Sequence, residues 1–175
     1  MFNYLNISYA KIIFTIKFII MNHTPLSEKF HISTLKNSDF KTAVNIERAS
    51  QAFPWTEKTF LSNRGKYYHN LKLEYGGTLV AFAITQVVCN EATLFNIAIT
   101  PSKKRKGLAR ELLKYLINDL NKKEILILWL EVRHSNYAAI ALYESLEFHK
   151  VSVRYDYYQT LTGRENAIIM ALSLY

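Results

Sequence analysis

Cysteine is almost missing from this chain of 175 residues. Its single Cys89 excludes an internal disulfide and any cysteine-rich metal site, and it fits a reducing compartment. With five glycines and three prolines, the sequence holds no repeat, low-complexity tract or long linker. Acidic residues are the minority, 14 against 22 Lys and Arg, and the net charge of +8 favours an anionic partner: nucleic acid, a membrane surface or a phosphorylated cofactor. No clean apolar run of transmembrane length is present either. Leu5 to Met21 comes nearest, but Lys11 and Lys17 interrupt it, and it lacks the basic start and small-residue cleavage site of a signal peptide. Three readings of this leader stay open: Met21 as the true first residue, a weak membrane or partner anchor, or an extra packed segment. The first twenty residues carry only two lysines, so the basic character belongs to the remainder.

What is there suits one folded domain. Half the residues are hydrophobic and 14% are aromatic, enough to bury a core. We read residues 1–29 as an extension and 30–175 as the domain. Phe30 to Leu35 alternates like a short strand. Asn37-Ser38-Asp39 offers helix caps for an amphipathic run through Val44 and Ile46 that ends near Ala49. Phe53-Pro54-Trp55 breaks the chain, and a short helix follows from Thr56. Leu71 to Tyr75, a Gly76-Gly77 turn and Thr78 to Val88 form a hairpin signal. Ala92 to Thr100 reads as a further strand buried on at least one face, and Cys89 is expected in a strand, as a core residue and not a nucleophile. Leu108, Leu112, Leu113, Leu116, Ile117 and Leu120 have helical spacing. Ile125 to Val132 is a strand, Ser135 caps a helix running to about Leu146, and Val151 to Tyr158 and Ala167 to Leu172 close the domain. This order predicts an α/β mixture, a mixed sheet covered by helices.

Three clusters carry candidate chemistry. Lys104-Arg105-Lys106-Gly107-Leu108-Ala109-Arg110 lies after a strand and opens a helix, where free backbone N–H groups and the dipole favour an anion such as a pyrophosphate. The residues alone leave open a solvated basic run or a nucleic-acid patch. Glu131 ends a hydrophobic strand, a position for a general base, or for a surface charge paired with Arg133 or His134. Asn136 and Tyr143 are seven residues apart on one helix and so share a face; the tyrosine is a proton or hydrogen-bond donor, or a core residue with a satisfied hydroxyl. The five histidines lack metal-ligand spacing.

Taken together these segments resemble the GNAT N-acetyltransferases from about Ile32 to the end. The resemblance rests on Ala52-Phe53-Pro54-Trp55, Ala81-Phe82-Ala83-Ile84-Thr85-Gln86, Ala92-Thr93-Leu94-Phe95-Asn96-Ile97-Ala98, Trp129-Leu130-Glu131-Val132-Arg133 and Ala139-Ile140-Ala141-Leu142-Tyr143-Glu144-Ser145. It is nearest to the bacterial branch that acetylates the N-terminal alanine of small-subunit ribosomal protein eighteen. It implies a central mixed, mostly antiparallel sheet flanked by about four helices, acetyl-coenzyme A as donor without a metal, and a basic ribosomal-protein N-terminus as acceptor. It implies no stable nucleic-acid partner, no membrane contact outside residues 1–20, and a cytoplasmic setting. The implied coenzyme A contacts are Ile97, Ala98 and Ile99 on the strand, Arg105, Lys106, Gly107, Leu108, Ala109 and Arg110 at the turn, and Asn136. Glu131 matches the family's proton acceptor and Tyr143 its proton donor. Two positions depart from the family pattern. Lys104 stands for the usual Gln or Arg, keeping charge without the planar fork. Glu147 stands for the usual Gly after the tyrosine helix, at a cost of about 1 kcal/mol if that position needs positive φ. Other acceptors remain alternatives: another protein N-terminus, a lysine or a small amine. A non-catalytic nucleic-acid-binding module is the alternative outside the family.

Overall fold

The computed structural model describes residues 30–174. The leader reading for residues 1–29 lies outside them. The elements run β1 (Phe30–Thr34), α1 (Phe40–Ser50), α2 (Glu57–Ser62), β2 (Leu71–Tyr75), β3 (Thr78–Val88), β4 (Glu91–Ile99), α3 (Leu108–Lys122), β5 (Ile127–Arg133), α4 (Tyr137–Glu144), β6 (His149–Thr160) and β7 (Gly163–Ser173). Short 3-10 turns at Asn37–Asp39 and Pro101–Lys103 lead towards α1 and α3. The order is the one the sequence pattern predicts. Seven strands form one sheet in the order β1-β2-β3-β4-β5-β7-β6. Only β4 and β5 run parallel; every other neighbouring pair is antiparallel. A parallel pair needs a crossover, and α3 supplies it.

Helices cover both faces of the sheet, which explains the near-continuous apolar run in β3. Ala81 and Ala83 face the side packed by Leu108, Leu112, Leu113, Leu116 and Leu120 of α3 and by Ile140 of α4. Phe82 and Ile84 face Phe40, Ala43, Val44 and Phe60 of α1 and α2. Phe60 sits edge-on to both Phe40 and Phe82, with centroids 5.7 and 5.0 Å away. Its short helix is held at the start by Thr56, whose hydroxyl accepts from the Thr59 N–H at 3.1 Å.

Four local expectations change. Cys89 is exposed in the β3–β4 turn at φ 54, outside strand and core, because Cys89-Asn90 reverse the chain after β3 ends at Val88. Asn136, not Ser135, caps α4, accepting from the Ala139 N–H at 3.2 Å. Asp39 does not cap α1; its carboxylate turns back onto the Lys36 N–H at 2.8 Å and closes the preceding 3-10 turn. The last hairpin is longer at both ends than its apolar pattern suggests, because β6 is an exposed edge strand whose polar residues satisfy its geometry as well as apolar ones do.

Candidate active site

The site begins where the parallel pair comes apart. β4 and β5 are in register only from Glu91 with Ile127 to Leu94 with Leu130. Beyond that point β4 stays bonded to β3 while β5 stays bonded to β7. A register shift against β3 between Ile84 and Thr85 leaves Phe95 as an extra residue on β4 at the same place. Such a bulge bends its strand and re-aims it. The result is a wedge whose sides are Phe95 to Ile99 and Glu131 to Arg133, with one backbone edge of β4 left unpaired by β5.

A cleft of about 280 Å³ fills this wedge, lined by residues that include Ile97, Glu131, Asn136 and Tyr143. Two consecutive elements, β5 and α4, thus bring both candidate acid–base groups to one cavity. Tyr143 is buried, and burial, with Tyr158 nearby, pushes its phenol well above the ordinary value. The Glu131 carboxylate is held by Arg154 of β6 at 2.6 Å. This replaces the sequence expectation of Arg133 or His134 as partner. Arg133 instead pairs with Glu165 at 2.7 Å and lies between two aromatic faces, Phe53 at 5.2 Å and Tyr158 at 4.5 Å. That stack ties the α1–α2 loop to β5 and β6 and builds one wall of the cleft. Tyr158 also lines it; burial first, then the Glu131 charge, pushes its phenol up to about 12.

Glu47 is the residue that sequence reasoning missed. It lines the same cleft from α1 and is 1% exposed. One carboxylate oxygen accepts from the Trp55 N–H at 3.0 Å, while Oε2 is buried without a hydrogen-bond partner. Burial pushes its carboxyl up; the Trp55 N–H and the nearby Asn96 amide oppose this. The signal was present: Glu47 falls three, four and seven residues after Val44, Ala43 and Phe40, on the buried stripe of its helix. Arg154 and Tyr158 carried no such signal, since an exposed edge strand has no periodicity to violate.

The basic turn follows β4 in the chain and leads into α3. Gly107 begins α3 in the left-handed region at φ 77, and Arg105 precedes it at φ 62. Successive residues in such conformations point their N–H groups into one concavity that suits an anion. No side chain caps the helix, so the first-turn amides of Leu108, Ala109 and Arg110 keep the unmet donors of any helix start. Leu108 itself is buried in the core, so only its backbone can serve. Arg105 and Lys106 are exposed, whereas Arg110 reaches across to α4 and donates to Ser145 Oγ at 2.8 Å. Lys104 donates to the Ser50 carbonyl at 3.3 Å and so braces the turn against α1. Ala98 and Ile99 are buried in β4 and, like Leu108, can present only backbone to a ligand. Asn136 spends its Oδ1 on capping α4; unlike the shared-face reading, it lies outside the helix proper, though it lines the cleft beside Tyr143.

The wedge brings Glu131 and Tyr143 to one cleft, and the chain runs on from β4 to the uncapped basic turn at Gly107. The sequence profile of the Acetyltransferase (GNAT) family matches residues 31–148. The chain belongs to this GNAT family. Within it, the chain is 56% identical over 143 residues to the [Ribosomal protein bS18]-alanine N-acetyltransferase of Escherichia coli K12, covering 82% of this chain and 97% of that one. A protein of the same description from Haemophilus influenzae is 44% identical over 144 residues, covering 82% and 98%. The crystal structure of the E. coli ribosomal-protein-S18-alanine N-acetyltransferase superposes with a TM-score of 0.82 at 55% identity, covering 83% of this chain and 94% of that one. The expected GNAT fold, a mixed and mostly antiparallel sheet with four flanking helices, is the one found. Among the described residues of this GNAT chain, no helix is long and apolar enough to cross a membrane.

Proposed function

We propose that this acetyltransferase moves the acetyl group of acetyl-coenzyme A onto the N-terminal alanine α-amine of small-subunit ribosomal protein bS18, in the cytoplasm. The observation that carries the acceptor assignment is the 56% identity spanning 97% of the E. coli enzyme, whose name states that substrate. The wedge supports the donor assignment. A pyrophosphate fits the uncapped, left-handed turn at Gly107, and a pantetheine arm fits along the β4 edge that β5 leaves unpaired beyond Leu94.

The chemistry follows from the groups at the inner end. The amine nitrogen attacks the thioester carbonyl, a C–N bond forms and the C–S bond breaks. The unpaired N–H groups of the β4 edge polarise the carbonyl and stabilise the oxyanion. Glu131 takes the ammonium proton, directly or through water. Tyr143 faces the leaving sulfur. An ordinary phenol loses its proton near pH 10, against about 8.5 for a thiol, and burial moves Tyr143 further up. Its role is therefore to donate a hydrogen bond to the thiolate more than to surrender its proton. An α-amine, with a pKa near 7.7–8.0, is already about 10–20% neutral at pH 7, far more than a lysine side chain. An N-terminal acceptor thus asks less of the base.

The test is an acetyl-transfer assay with an Ala-initiated basic peptide, with its N-terminus free or blocked. Transfer to the free peptide alone is expected. Equal transfer to the blocked peptide would move the acceptor to a lysine and overturn the assignment.

A further inference from the structure

Two carboxyl groups line the cleft, and only one of them has a cation. Glu131 is paired with Arg154 at 2.6 Å. Glu47 meets no Lys, Arg or His within ion-pair distance among the described residues. Among the described residues the Trp55 N–H donates to one oxygen at 3.0 Å, the Asn96 amide lies near the carboxyl, and Oε2 is buried with no partner. A buried carboxylate oxygen left unmet is costly, and native structures keep few of them. Packing does not require an acid here. The other buried residues of α1 are Phe40, Ala43, Val44 and Ile46, and a glutamine would accept the same Trp55 N–H. The carboxyl also sits in the wall that Phe53, Trp55 and Tyr158 share, and a cation beside that partly apolar surface would feel it more strongly than in bulk water.

We propose that Glu47 is the binding residue for the acceptor's α-ammonium: the charged amine is held between the Glu47 and Glu131 carboxylates before Glu131 takes its proton. This rests on the N-terminal acetyltransferase reading. It assigns selection for a free amine to Glu47, with proton removal left to Glu131. The α-ammonium brings three N–H donors, and Glu47 Oε2 supplies an acceptor that the protein itself does not use.

The experiment compares two peptides of the same basic sequence, one beginning with alanine and one with its desamino analogue, propionyl. Their affinities are measured in the presence of coenzyme A, which has no acetyl group to give. The wild-type protein is expected to prefer the free amine. Glu47→Gln should weaken the amine peptide about ten- to hundredfold, the range for hydrogen bonds to charged groups, and leave the desamino peptide within about twofold. Equal weakening of both peptides would mean that Glu47 only shapes the wall, and an unchanged amine peptide would mean that it does nothing for the acceptor. Either result overturns the proposal. Glu47→Asp, which keeps the charge, should retain part of the amine preference and serves if the glutamine variant loses its coenzyme A affinity or thermal transition. Transfer by the wild-type protein is measured alongside. Its absence would sink the function reading and this inference together, whereas active wild type with an indifferent Glu47→Gln would sink the inference alone.

Discussion

Glu131 and Tyr143 are separated by twelve positions and a helix start, yet their side chains share one cavity. Substitution should separate their roles from binding. Glu131→Gln is expected to lower kcat by about a hundred- to ten-thousandfold, the usual range for removing a general base, with coenzyme A affinity kept. Tyr143→Phe should lower kcat more modestly, because it removes a hydrogen bond and not a full proton transfer. Both are read from initial rates beside a coenzyme A titration. Glu47 adds a stability prediction with a defined sign. Its carboxyl is raised by burial in the folded state, so its favourable contribution is complete below the ordinary carboxylate range and is lost as pH rises through the raised value. Glu47→Gln should therefore match wild type in denaturation midpoint near about pH 4 and exceed it towards neutral pH. A midpoint lower at neutral pH than at acid pH, relative to wild type, would contradict this. At this scale the sequence showed Glu131 and Tyr143 as types and positions, but neither their meeting nor the partner of Glu131. That partner is Arg154 from β6, which comes close only through the sheet order.

At the scale of elements, the helix starts and stops decide the site. Gly107 at φ 77 opens α3 where a Cβ is disfavoured. Gly107→Ala is expected to cost about 1–2 kcal/mol and to weaken coenzyme A as well, checked by denaturant unfolding and calorimetric titration. Glu147 presents the opposite case. It occupies φ 68 at the end of α4, where the Phe148 N–H returns to the Tyr143 carbonyl at 3.1 Å. The sequence alone raised this position as a departure from glycine, and the backbone shows the strain. Glu147→Gly should raise stability by about 0.5–1 kcal/mol, the relief of the left-handed conformation less the extra freedom of an unfolded glycine, seen as a higher urea midpoint with an unchanged slope. Periodicity made α3 legible because five of its leucines are buried in one stripe. It misplaced the α4 cap by one residue, since Ser135 and Asn136 are both good caps and only the backbone turn chooses between them.

Over the whole molecule, the site is a consequence of strand order. β4 and β5 pair for four residues and then follow different neighbours, and the cleft holding Glu131 and Tyr143 opens where they part. No local pattern reports such a divergence, because it arises between strands that α3 separates in the chain. The element order, the basic turn and the positions of Glu131 and Tyr143 were legible; the wedge, the Arg133 stack and the buried Glu47 were not. Part of the net charge of +8 lies at that turn.

The most direct measurement is the intact mass of ribosomal protein bS18 purified from cells lacking this gene and complemented with wild type, Glu131→Gln or Tyr143→Phe. The account predicts an unacetylated alanine terminus in the deletion strain, full acetylation with wild type and little with Glu131→Gln. A terminus that is acetylated without the gene, or bare with it, would contradict the account.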